Sequence, residues 1–155
     1  MSQTIKRLVF GSDHGGFDLK QALMARIRET YPHIECVDLG VTSNTRVDYP
    51  DYADKVVQDV QAAPETAGIL VCGTGIGISM RANRYRGIRA ALVHDSFTAE
   101  MAKAHNNANV LCLGGRTVEL GTALICVRMW LDTAYEGGRH DERLEKLDRF
   151  GAAAD

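Results

Sequence analysis

VCGTGIGIS, residues 71–79, is the stretch whose reading decides the fold. A short apolar run, Gly68-Ile69-Leu70-Val71, leads into it and reads as a buried strand. Three glycines follow at alternate positions, Gly73, Gly75 and Gly77, and residues 78–83 then read as the start of a helix. A strand that empties through a glycine turn into a helix leaves backbone N–H groups pointing outward, with the positive end of the helix dipole behind them. Such a turn holds an anion. It also carries Cys72, at the C-terminal end of the strand, where neighbouring N–H dipoles favour the thiolate.

Length and composition set the frame around this turn. The 155 residues, 45% hydrophobic and 25% charged, fit an ordinary globular chain with one core. One domain is expected over 1–150, with a frayed tail at 151–155. A net charge of −2 gives no electrostatic case for nucleic acid or an anionic membrane as partner. No apolar run approaches the ~20 residues that span a bilayer, and the first residues lack the apolar length of a signal peptide. A cytoplasmic protein is expected. The four cysteines, Cys36, Cys72, Cys112 and Cys126, form no C-x-x-C pair, which suits reduced thiols and suggests neither a zinc site nor a disulfide framework.

Outward from the turn, strands and helices alternate. Strands are expected at 7–11, 34–38, up to 72, at 88–93 and at 110–113. Helices are expected at 17–30, 51–62 and 78–83, from Asp95 or Ser96 to 105, from an N-cap at Thr117 to 131, and at 141–150. Leu120, Leu124, Val127 and Leu131 form the expected inner stripe of the 117–131 helix, and Leu144 and Leu147 that of the last one. This alternation predicts an α/β fold: a doubly wound five-stranded parallel sheet, order 2-1-3-4-5, with helices on both faces and a C-terminal helix. Strands one and three are then neighbours where the winding reverses, which is where such sheets bind ligands. The loops facing each other there are 12–16 and 72–77. Topology alone brings two glycine-containing polar loops together.

Competing motifs fit less well. Gly73-x-Gly75-x-Gly77 misses the G-x-G-x-x-G spacing and follows the third strand rather than the first, although Asp95 imitates a ribose-binding acid. No Gly-Lys-Ser/Thr follows the glycines, which excludes a P-loop, and Ile78 stands where a thiol phosphatase needs arginine. A thiolate beside an anion hole attacks a carbonyl, or acts as base on a carbon acid whose enediolate fixed donors stabilise. The amides of Gly73, Gly75 and Gly77 and the Thr74 hydroxyl are suitable donors. Arg139 and Arg143, four apart, either fork onto a phosphate or form a solvated ion-pair face with Glu136, Asp141 and Glu142. Asp13-His14 is either a turn or part of a site, and His105 either a helix cap or a functional group.

GSDHGGF (11–17), VDYPDYA (47–53), ILVCGTGIGIS (69–79), ANRYRGIRA (82–90), HNNANVLCLGGR (105–116) and YEGGRH (135–140) carry a resemblance over nearly the whole chain. The sequence resembles the B-type ribose-5-phosphate isomerases and the related galactose-6-phosphate isomerase subunits. This resemblance implies an aldose–ketose isomerase with no metal and no cofactor, interconverting ribose 5-phosphate and ribulose 5-phosphate through a cis-enediolate. It makes Cys72 the base that moves a proton between C1 and C2. Relatives with a glutamate base carry it six residues further on, where this chain has Ile78. Thr74 and the amides at Gly73, Gly75 and Gly77 would stabilise the enediolate, Asp13 would bind sugar hydroxyls, and His105 would assist ring opening. His14, Arg139 and Arg143 would hold the phosphate, with Arg116 as a further contact. Asn106 would touch substrate and Tyr49 would wall the pocket. The resemblance also implies a homodimer or homotetramer with sites across the subunit interface, His105, Asn106 and Arg116 coming from the partner chain. An isomerase for allose, galactose or erythrulose phosphates, and a non-catalytic sugar-phosphate- or nucleotide-binding module, are the alternatives.

Overall fold

The computed structural model describes residues 4–151. Most of the tail expected to fray thus falls outside the described residues. Eleven elements follow in the order β1 (Arg7–Ser12), α1 (Phe17–Thr30), β2 (Glu35–Asp38), α2 (Tyr49–Ala62), β3 (Thr66–Cys72), α3 (Ile76–Ala82), β4 (Ala90–Leu92), α4 (Ser96–Ala104), β5 (Val110–Gly114), α5 (Leu120–Asp132) and α6 (Arg139–Leu147). The strands form one parallel sheet. Among the described residues no helix is long and apolar enough to cross a membrane.

The doubly wound parallel sheet is as expected, but the last two strands exchange places: the order is β2-β1-β3-β5-β4. Burial explains the exchange. Residues of β5, VLCLG, are all buried and take the inner position beside β3, whereas β4 is three residues long and partly exposed, and sits at the edge. The exchange has a functional consequence. It is the loop after β5, with Arg116, that flanks the Cys72 turn, because Cys72 pairs in register with Gly114.

Alternation along the strands divides the core between two faces. Leu8, Phe10, Ile69, Val71, Leu111 and Leu113 meet Leu23 and Ile27 of α1 and Val127 and Trp130 of α5 on one face. Val9, Leu70, Cys72, Val110 and Cys112 meet Val56 and Val57 of α2 and Ile78 of α3 on the other. Helix α5 is turned from its expected setting. Its buried residues are Ala123, Cys126, Val127 and Trp130, while Leu120, Leu124 and Leu131 pack only at the margin. The Trp130 indole decides this, since it is fully buried and donates to the Ala108 carbonyl at 3.0 Å. Thr117 does not cap α5. Its hydroxyl bonds back to the Gly114 carbonyl at 3.2 Å, and the helix starts three residues later. Asp95 rather than Ser96 caps α4, in a reciprocal box with Thr98. In α6, Leu144 is buried but Leu147 is exposed.

Two lysines are buried, with different consequences. Lys20 bridges α1 to the end of β2 and the segment after it, donating to Asp38 Oδ1 at 2.7 Å and to the Val41 carbonyl at 2.6 Å. Lys103 has no carboxylate partner among the described residues, and its ammonium lies 5.0 Å from the centre of the Trp130 ring. Burial, with a smaller push from Arg89, lowers its pKa to about 8. A base whose pKa falls on folding leaves the unfolded chain with more bound protons between pH 8 and 10.5, so stability rises with pH across that window. Lys103→Met is therefore expected to stabilise the fold at pH 7, on the order of 2 kcal/mol. The gain should shrink towards zero as pH approaches 10.5. Urea unfolding of both proteins at pH 7 and pH 10 checks this, and an equal difference at the two values would exclude it.

Candidate active site

Three loops meet at the C-terminal edge of the sheet. From β1, the Asp13 amide donates to the Val71 carbonyl at 3.3 Å, while Asp13 Oδ1 accepts from the Gly16 amide at 3.1 Å, which fixes the carboxylate in the turn. From β5, the Gly115 amide donates to the Cys72 carbonyl at 2.8 Å and the Arg116 amide to the Gly73 carbonyl at 2.9 Å. Between them runs the Cys72 turn. Gly75 holds a left-handed φ of +78° as the N-cap of α3, and a Cβ there would stand 2.9 Å from the Leu113 carbonyl carbon. No L side chain fits that bend without strain.

The turn is tighter than its sequence suggested, because α3 begins at Ile76, two residues early. The Thr74 hydroxyl accepts from the Ile76 amide at 3.3 Å, and the Gly75 amide points at Cys72 Sγ, 3.1 Å away. Gly77 thereby falls in the first turn of a helix, where amides have no intrahelical carbonyl to bond. A donor on the sulfur, a free amide nearby and the exposed Thr74 hydroxyl make the local arrangement an anion cradle built round a thiol. Cys72 itself is 4% exposed, at the tip of its strand. Burial pushes the core thiol of Cys126 up to about 11, and that of Cys112 higher still.

Further side chains beside this turn come from elsewhere along the chain. The Tyr49 ring lies over Gly77, close enough that a Cβ there would sit 2.6 Å from its Cζ. His14 Nδ1 accepts from the Val47 amide at 3.3 Å, tying the loop before α2 across the β1 turn. The guanidinium of Arg116 packs against Gly73, with Nη1 3.1 Å from where a Cβ would be. Asp13, His14, Tyr49, Cys72, Gly73, Thr74, Gly75, Gly77 and Arg116 are thus brought together by a single chain. For Arg116 this corrects the expectation that it comes from a partner. The correction follows from the strand exchange, which puts its loop next to its own Cys72.

His105, Asn106, Arg139 and Arg143 lie elsewhere. His105 is the C-cap of α4, at the N-terminal edge of the sheet, and the α6 segment joins it there through the Glu136 amide, which donates to the Ala104 carbonyl at 3.0 Å. The length of β5 alone puts that edge roughly 16 Å from Gly114 and the Cys72 turn. His105 Nε2 stands 3.6 Å from Glu136 Oε2, and its ring stacks on that of His140 at 4.2 Å. Burial first, then the neighbouring His105 and Arg139, hold the His140 imidazole below its ordinary pKa. Arg139 and Arg143 are exposed. The ion-pair face considered for them is not formed: Glu142 pairs with Lys146 at 3.2 Å, Asp141 accepts from Tyr135, and neither arginine has a carboxylate partner among the described residues. The two groups of residues stand at opposite edges of one sheet.

A sequence model of the family described as Ribose/Galactose Isomerase matches residues 8–147. The chain belongs to that family. It is 43% identical over 143 residues to the ribose-5-phosphate isomerase B of Escherichia coli strain K12, covering 92% of this chain and 95% of the relative. Among solved structures, ribose-5-phosphate isomerase B of Clostridium thermocellum superposes with a TM-score of 0.88 at 42% identity, over 92% of this chain and 95% of that one. A ribose 5-phosphate isomerase from Thermotoga maritima gives the same TM-score at 45% identity, over 92% and 97%.

In this member of the ribose/galactose isomerase family, sequence reasoning missed two features of the site. His140, 35 positions from His105 and noticed only within the matched YEGGRH segment, is the residue stacked on it. No periodicity links positions on α4 and α6, so only folding reveals the pair. The docking of Val47 on His14 went unread for the same reason, since the loop carries no motif of its own.

Proposed function

We propose that this chain is an aldose–ketose isomerase that interconverts ribose 5-phosphate and ribulose 5-phosphate. The observation that carries the reading is the Gly75 amide aimed at Cys72 Sγ inside a turn that also carries the exposed Thr74 hydroxyl. The thiolate takes the proton from C2 of the open-chain aldose and returns it to C1, while the O2 hydroxyl proton passes to O1. The enediolate oxygens formed in between rest on the Thr74 hydroxyl and the amides of the glycine turn. Asp13 and Tyr49 hold the sugar chain, and His14 and Arg116 stand on either side of the turn.

The active unit is a homodimer, alone or paired into a tetramer. A second copy brings the N-terminal-edge group, His105, Asn106, Arg139 and Arg143, to the Cys72 cleft of the first. Its His105 then assists furanose opening, while Arg139 and Arg143 fork onto the phosphate with His14. What supports this is chemical incompleteness: one edge holds a thiol and an anion cradle, the other two arginines without carboxylate partners among the described residues. Purified protein assayed against ribose 5-phosphate, allose 6-phosphate, galactose 6-phosphate and erythrulose 4-phosphate tests the reading. Ribose 5-phosphate is expected to give the highest kcat/KM, and no turnover of any of them would sink it. Arg139→Ala or Arg143→Ala is expected to raise KM about tenfold with a smaller change in kcat, since a surface-held phosphate contributes mainly uniform binding. An unchanged KM in both variants would remove the phosphate role.

A further inference from the structure

His105, Glu136 and His140 are the one group of histidine, cysteine and carboxylate side chains among the described residues that converges as metal ligands do. Each offers one donor atom, and the three donors lie within 4.8 Å of one another. A tetrahedral zinc ion with bonds of about 2.0–2.1 Å needs its ligand atoms roughly 3.4 Å apart. The His105 Nε2 to Glu136 Oε2 distance of 3.6 Å already approaches that. A second observation points the same way. His140 is 5% exposed, and its Nε2 is fully buried with no hydrogen-bond partner among the described residues, an arrangement that costs free energy while it stays unmet.

We infer that His105, Glu136 and His140 form a three-ligand site for a divalent transition-metal ion of the zinc class, with the fourth position open to solvent or substrate. Two imidazoles and one carboxylate are a donor set that zinc takes readily, and the single carboxylate lowers the net charge of the bound ion beside Arg139 and Arg143. The stacked rings, 4.2 Å apart and 20° from parallel, must open for both nitrogens to face one ion. His105 can turn about its Cβ–Cγ bond, being 35% exposed in its side chain, whereas His140 is fixed by packing. The inference also has a consequence for the proposed isomerase, on which this part alone rests. An ion on His105 occupies a nitrogen that ring opening needs, so the metal inhibits rather than assists.

Calorimetry with Zn2+ on the full-length protein tests the site without reference to turnover. One ion per chain is expected, with affinity falling about 100-fold in Glu136→Gln and in His140→Gln, since even outer-shell losses cost 10–100-fold. Glu136 lies at the surface, so its variant keeps the test open should His140→Gln fail to fold. Co2+ in place of Zn2+ is expected to give visible bands of nitrogen and oxygen ligation. Binding that is absent, or equal in wild type and Glu136→Gln, or a sulfur-to-cobalt charge-transfer band, would overturn the site. In the isomerase assay, Zn2+ is expected to inhibit wild type and to spare Glu136→Gln at the same concentration. Binding at the three residues with no inhibition would uphold the metal site and count instead against His105 in ring opening.

Discussion

Cys72→Ala is expected to fold normally and to lose isomerisation of ribose 5-phosphate by a factor of about 10²–10⁴, the usual contribution of a positioned base. The loss should fall on kcat, because the sulfur acts in the proton transfer and the phosphate is held elsewhere. Folding should survive because the residue is small and sits at the C-terminal tip of β3, so that removing its one sulfur leaves only a small gap in the cluster formed with α2 and α3. Cys72→Ser is expected to fail similarly, since a hydroxyl keeps the volume but is far harder to ionise. Steady-state kinetics with circular dichroism on the same samples decide the matter. Turnover within tenfold of wild type would mean that another group removes the proton.

The second large effect is a recovery. Cys72→Ala and Arg139→Ala/His105→Ala are each expected to be nearly inactive. Co-expressed, they should regain activity through mixed dimers. In such a dimer the Cys72 edge of the doubly substituted chain meets the intact His105 edge of its partner, so one of two sites is complete. With random pairing half the dimers are mixed, and activity should reach about a quarter of wild type. The prediction follows from the two edges of the sheet, roughly 16 Å apart along β5, which no side-chain rearrangement within one chain can bring together. Activity in the mixture no greater than the mean of the two variants would show that each chain works alone.

Much of the fold was legible because its signals are local. The helix at 17–30 was read to its observed limits, since Leu19, Leu23 and Ile27 repeat at helical spacing and Pro32 follows the end. The Cys72 turn was legible because a buried strand, alternate glycines and a helix each leave a mark on their own residues. The order of the last two strands was not, since it depends on which of two apolar runs is buried more completely by helices that the sequence pattern does not place. The rotation of α5 was missed for a related reason. Its leucines fit a helical stripe equally well, but Trp130 is the larger group and its N–H must find the Ala108 carbonyl.

By itself, then, the sequence determined the parallel α/β architecture, the thiol in its glycine turn and the membership that its motifs announced. Those features are written in short-range periodicity and in residue types with few conformational options. Only the tertiary structure decided that Arg116 joins its own Cys72, that His105 and the two arginines stand at the far edge, and that an unpartnered His140 stacks on His105. Each of these depends on contacts between residues distant in the chain, which packing selects and which no local pattern encodes.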